Sequence, residues 1–241
     1  MHSKKNPVAT ALGTDGKFMT DNATSTVEEK VRDHFHDDAS RFDAIYDEKK
    51  GVFARFIDNY WRGVVQKRLE LNVEKLKPFA GKKILDVGCG SGRFCIAFAE
   101  NGAEKVLGVD FARAMIEIAN KLAADAGVAE RCEFRVGAFP DCLRDDEGPF
   151  DACTGNGFFD YIEHPVTIIT KMRELTKGKL ILSFPKAVEW RVPVRRIRFW
   201  MKGTPLFLYT EAQVRDILKQ SGVTDFEFIH LDRDYLVVAD V

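Results

Sequence analysis

Short apolar runs alternate with stripes at three-and-four spacing along most of this chain, most sharply over residues 83–110, KILDVGCGSGRFCIAFAENGAEKVLGVD. Ile84, Leu85 and Val87 form a run that reads as a buried parallel strand. Gly88, Gly90 and Gly92 follow on alternate positions, then a helical pattern (Phe94, Ala97, Phe98) that Asn101-Gly102 stops. A second run, Val106, Leu107 and Val109, ends in Asp110. The stripe Ala112, Met115, Ile116, Ala119, Leu122, Ala123 predicts the next helix, ending at Gly127. Further strands are predicted over 132–136, 150–154 and 179–184, with a helix starting at Pro165 between the last two. Thr210 opens a capping box with Gln213, and the helix it starts ends at Gly222. Strands over 226–229 and 235–239 close the chain; the turn between them permits only antiparallel neighbours. Strands alternating with helices predict an α/β fold, a doubly wound sheet of about seven strands with the last antiparallel.

The N-terminal part is patterned differently. Residues 1–27 are polar, lack periodicity and read as a disordered arm. Residues 31–48 set Phe35, Phe42, Ile45 and Tyr46 among charges, and Gly51 breaks them. Phe53, Phe56, Ile57, Tyr60, Trp61 and Val64 then recur at helical spacing, and helix continues to Leu76 before Pro78 and Gly81. The organisation expected is one domain over 28–241: N-terminal helices (28–80), a core (81–184), a basic insertion (185–209) and a closing helix and hairpin (210–241).

Length and charge narrow the class. The 241 residues suffice for one large α/β domain, and 36 basic residues against 37 acidic ones leave a net charge of −1. That balance argues against a dedicated DNA binder. MHSKKNPVAT has no apolar core, so no leader is expected, and no apolar run approaches a membrane span. Cys89, Cys95, Cys132, Cys142 and Cys153 show no metal or redox spacing, which suits a reducing, cytoplasmic setting.

The chemistry gathers at 83–110. Strand, glycine loop, helix, strand and terminal acid make the first half of a nucleotide-binding unit, and an acid placed like Asp110 can accept both hydroxyls of a ribose. The dinucleotide fingerprint would need a third glycine at Arg93; the loop instead spells Asp86-x-Gly88-x-Gly90-x-Gly92. In this the chain resembles the class I S-adenosylmethionine-dependent methyltransferases, of the small-molecule type. The resemblance covers 82–184 at the level of motifs and implies S-adenosyl-L-methionine as cofactor. It implies that Asp86 and the loop of Gly88, Cys89, Gly90 and Gly92 hold the methionine tail. Asp110 would take the ribose hydroxyls, and Phe111 would lie against the adenine. Many members carry an acid after the third strand's glycine; here Gly137 is followed by Ala138 and Phe139, whose backbone groups could pair with adenine edges. The run GNGFFDYIEHP at 155–165 looks like the family's fourth motif, and Asn156 is the expected contact for the cofactor's amino end.

Methyl transfer asks mainly for alignment and exclusion of water, with a general base only for an acceptor that arrives protonated. His164, Asp160, His34 and His36 are the candidates, with His164 preferred; the plain alternative is a helix-start residue. The expected substrate is a small molecule, with oxygen favoured over nitrogen or carbon. The segment 186–205 carries Lys186, Arg191, Arg195, Arg196, Arg198 and Lys202 with Trp190, Phe199 and Trp200 interleaved. It reads as a lid in which Arg195, Arg196 and Arg198 clamp an anionic substrate, as a solvated helix face, or, less favoured, as an RNA or membrane surface. Competing readings of the whole are an RNA or protein methyltransferase, a cofactor-binding scaffold subunit and, last, an NAD-dependent oxidoreductase.

Overall fold

Five parallel strands and an antiparallel pair form a single seven-stranded sheet in the order β3-β2-β1-β4-β5-β7-β6. The structure is a computed structural model and describes residues 52–187 and 206–241. The N-terminal arm, the 31–48 segment with His34 and His36, and most of the basic segment, including Arg195, Arg196 and Arg198, lie outside the described residues.

A long helix, α1 (Val52–Leu76), precedes the sheet. Its end is capped by Lys82, whose ammonium donates to the Leu76 carbonyl at 2.6 Å. Strand β1 (Lys83–Val87) leads through the glycine loop into α2 (Arg93–Glu100) and β2 (Lys105–Asp110). Then come α3 (Arg113–Asp125), β3 (Cys132–Val136), β4 (Phe150–Gly155), α4 (Pro165–Glu174) and β5 (Thr176–Pro185). Helix α5 (Glu211–Gln220) opens with the expected capping box: Gln213 N–H donates to Thr210 Oγ1 at 3.3 Å, and Thr210 N–H to Gln213 Oε1 at 2.8 Å. Strands β6 (Phe226–His230) and β7 (Asp234–Asp240) form the closing hairpin, with β7 antiparallel to both neighbours.

The central strands are apolar because both sheet faces are covered. Leu85 and Val87 enter one core with Leu180, Leu182, Phe184 and Met172, while Ile84 enters the other with Leu76, Phe98 and Val106. Strand β5 begins at Thr176, ahead of the predicted 179, because its first residues pair with β4 across an irregular register between Phe150 and Ala152. A polar start hides such an extension from an apolar pattern.

This topology places the functional end. β1 and β4 are neighbours, while the chain runs from β1 to β2 and β3 on one side and from β4 to β5 on the other. At this reversal, the loops after the two strands' carboxyl ends diverge and leave a crevice.

Candidate functional site

The loop after β1 is built from residues with positive φ: Gly88 at 68°, Gly90 at 52° and Gly92 at 73°. Gly88 and Cys89 donate their N–H groups to the Val109 carbonyl at 2.9 and 3.1 Å, which ties the loop to the end of β2. Asp110 completes the tie. One carboxylate oxygen accepts from Gly90 N–H and the other from Ala112 N–H, both at 2.9 Å. Each oxygen keeps a second acceptor direction, and the side chain is only half-buried, so the carboxylate can serve the loop and a ligand together. Burial raises its pKa above the usual carboxylate range, and the two backbone bonds oppose that shift.

Asp86 sits elsewhere. Its side chain is 1% exposed, accepts from the Thr154 hydroxyl at 2.6 Å and meets the Cys95 thiol at 3.5 Å. Burial lifts its pKa to about 7, and the Asp110 charge adds to this, against the lowering effect of the Thr154 and Cys95 bonds. Since the folded pKa lies above the unfolded one, the native state holds this proton more tightly. Its stabilising effect is full below about pH 4 and is lost as pH rises through about 7. Asp86→Asn should therefore flatten the loss of melting temperature between pH 5 and 8 relative to the wild type. Parallel wild-type and variant melting curves across that range would show that this carboxyl is not the titrating group.

At the end of β4, Asn156 meets a residue that no local pattern singles out. The side-chain amides of Asn156 and Asn72 exchange hydrogen bonds at 3.1 and 3.2 Å, and Asn72 is 0% exposed. One turn earlier on α1, Arg68 donates to Ser183 Oγ at 3.1 Å and faces Asp234 at 3.6 Å. Ser183 Oγ also accepts from Gly157 N–H at 2.9 Å. The Asn72–Asn156 and Arg68–Ser183 contacts join α1 to the end of β4 and to β5 across 84 and 115 residues of sequence. The signal available in the sequence was polar Asn72 among the apolar positions Leu69, Leu71, Val73 and Leu76.

The remaining expected residues divide. Phe111 and Ala112 pack with Met115 beside Asp110. Gly137 donates to the Asp110 carbonyl at 2.9 Å, which starts the Ala138-Phe139 segment next to the same acid. Phe139 packs towards the core, while Ala138 is exposed. The segment is braced from β3 by Arg135, which grips both Glu147 carboxylate oxygens at 2.6 and 2.7 Å and holds its carboxyl at about pKa 2. His164 is the exposed N-cap residue of α4 and makes no side-chain capping bond. Near it, Tyr209 donates from its hydroxyl to the Ile162 carbonyl at 2.8 Å, and Phe207 N–H to the Asp160 carbonyl at 2.9 Å. Tyr209 also pairs with Lys186, so the chain leaving β5 at Ala187 returns to the same place by Phe207.

Comparison with known proteins gives this geometry a setting. A family described as "methyltransferase domain" matches residues 78–224. The ubiquinone biosynthesis O-methyltransferase of Maricaulis maris (strain MCS10) is 30% identical over 164 residues, covering 61% of each chain. Its counterpart in Xanthomonas axonopodis pv. citri (strain 306) is 35% identical over 118 residues, 48% of each. The chain thus spans about half to three-fifths of the length of these curated relatives. Among solved structures, magnesium protoporphyrin IX methyltransferase from Synechocystis PCC 6803 with bound SAH superposes with a TM-score of 0.69. Identity to it is 22%, and the match covers 88% of this chain and 99% of that one.

Proposed function

Because the chain belongs to the methyltransferase-domain family, we propose that it transfers a methyl group from S-adenosylmethionine to a small-molecule acceptor. The observation that carries this reading is the clamp between Gly90 and Asp110 at the carboxyl ends of β1 and β2. The residues fit such a cofactor. A Cβ at Gly90 would meet open space, as a cradle for a ligand requires, and Asp110 retains acceptor capacity for a ribose diol beside it. Gly88, Cys89 and Gly92 shape the loop, and Phe111, Ala138 and Phe139 line the adenine side. Asp86, buried behind the loop, ties the end of β1 to Thr154 of β4. Arg68 and Asn156 stand at the other end, where a cation and an amide suit an amino-acid tail.

Adenosylmethionine supplies a carbon already activated by its sulfonium. The chain's own residues contribute orientation and exclusion of water. An oxygen acceptor is favoured by relatives named O-methyltransferases, and His164, exposed at the start of α4, is the candidate to take a hydroxyl proton. An anionic acceptor is suggested by Arg195, Arg196 and Arg198 on sequence grounds alone. Five free cysteines favour a reducing compartment, the cytoplasm. Among the described residues no helix is long and apolar enough to cross a membrane.

Thermal shift tests the reading. At a hundredfold excess over Kd, a ligand that binds only the native state adds about 2.7 kcal/mol, which for a domain of this size raises Tm by roughly 5–10 °C. Adenosylhomocysteine should give that shift and NAD none; the reverse pattern would replace the methyltransferase reading with an oxidoreductase one.

A further inference from the structure

We infer that Asn72 is a positioning residue: through its paired amide it sets which atoms Asn156 presents to the amino-acid tail of the cofactor. The inference rests on the methyltransferase reading above and adds to it a residue of the helix that precedes the nucleotide-binding unit.

The Arg68 carbonyl can only accept, and it takes a bond from Asn72 Nδ2 at 2.9 Å. That fixes the amide of Asn72, whose nitrogen also donates to Asn156 Oδ1 at 3.2 Å. Both N–H groups of Asn72 are then used. Its carbonyl oxygen accepts from Asn156 Nδ2 at 3.1 Å. The polarity of Asn156 is therefore dictated in turn, by a chain of bonds that starts at a backbone carbonyl of α1.

Each polar atom of Asn156 has spent half its capacity on Asn72. One N–H and one acceptor direction of the oxygen remain, pointing to opposite sides of the Asn156 side chain. Asn156 is half-buried at the end of β4, beside the reversal in strand order, whereas Asn72 is completely buried and cannot touch a ligand itself. One fixed donor and one fixed acceptor complement the carboxylate and the ammonium of an amino acid, each from its own side of the amide. Without Asn72 the Asn156 amide could rotate or flip, and its two remaining groups would lose their fixed places.

Two probes separate positioning from plain structural support. Adenosylhomocysteine and 5′-methylthioadenosine share the nucleoside and the thioether, but only the first has the amino-acid tail. The test variant is Asn72→Ser, whose hydroxyl can still serve the carbonyl one turn back while falling short of Asn156. Calorimetry on the full chain should show affinity for adenosylhomocysteine falling roughly tenfold, the loss of about one hydrogen bond, with affinity for methylthioadenosine unchanged. Asn156→Ser should give the same pattern, and the double variant should be no worse than either single one. If Asn72→Ser does not fold, Asn72→Leu, which fills the same buried volume, carries the same comparison. Equal losses for both probes would make Asn72 only a packing residue, and no loss for either would disconnect it from the site. A wild-type chain that binds neither probe would overturn the methyltransferase reading itself, and this inference with it.

Discussion

Replacing Asp110 with alanine should lower the affinity for adenosylhomocysteine about tenfold to a hundredfold, since bonds to a charged acceptor are worth roughly 1.5–3 kcal/mol. Two losses contribute. The ribose diol loses its acceptor, and the N–H groups of Gly90 and Ala112, each held at 2.9 Å, are released. Asp110→Asn separates them. An asparagine can keep one backbone bond and one ribose contact, but turns its nitrogen towards a donor at the other position. Its affinity should fall between those of wild type and alanine variant. Calorimetry at neutral pH measures all three. An alanine variant with wild-type affinity would reduce Asp110 to a clamp between loop and strand.

The second large effect separates two glycines of the same loop. A Cβ at Gly88 would lie 2.5 Å from Phe158 Cδ2 and 3.0 Å from its Cβ, so turning the ring cannot clear it. Gly88→Ala therefore combines a left-handed backbone penalty of about 1–2 kcal/mol with an overpacking cost of about 1–3 kcal/mol. At roughly 2–4 °C per kcal/mol, the melting temperature should fall by roughly 5–15 °C. Gly90 also has a positive φ, but its missing Cβ faces open space. Gly90→Ala should cost only the backbone penalty and place its methyl where the ligand approaches. The first variant should be recognised by its melting temperature, the second by its weakened adenosylhomocysteine binding. A Gly90→Ala protein with undiminished affinity would mean that no ligand comes close to the loop there.

Much of this framework is legible in the chain itself because it is local. The strand-loop-helix-strand unit with its terminal acid is contiguous, and the Thr210–Gln213 box spans four residues. Family resemblance supplied the ligand, which periodicity could not. The contacts around Asn156 are a different matter. Asn72 and Arg68 reach it and Ser183 only after α1 has docked against the ends of β4 and β5, and one buried asparagine in an amphipathic helix does not announce its partner. Asp86 shows the opposite limit. Its spacing places it in the motif, but only the fold shows its oxygens turned to Thr154 and Cys95 in the interior.

The pairing of Lys186 with Tyr209 has a consequence for how this fold can diversify. The Ala187 N–H donates to the Tyr209 carbonyl at 2.7 Å and Tyr209 N–H to the Pro185 carbonyl at 2.9 Å, while the Tyr209 hydroxyl anchors on Ile162. Those bonds, all between described residues, bring the two ends of the connecting chain together. The closure entropy of a loop rises slowly with its length, by only about 0.6 kcal/mol per doubling, so paired ends of this kind can be bridged by chains of different length. The junction is a socket. Sequence can be exchanged there, by evolution or by grafting, while the paired ends at Lys186 and Tyr209 stay the same.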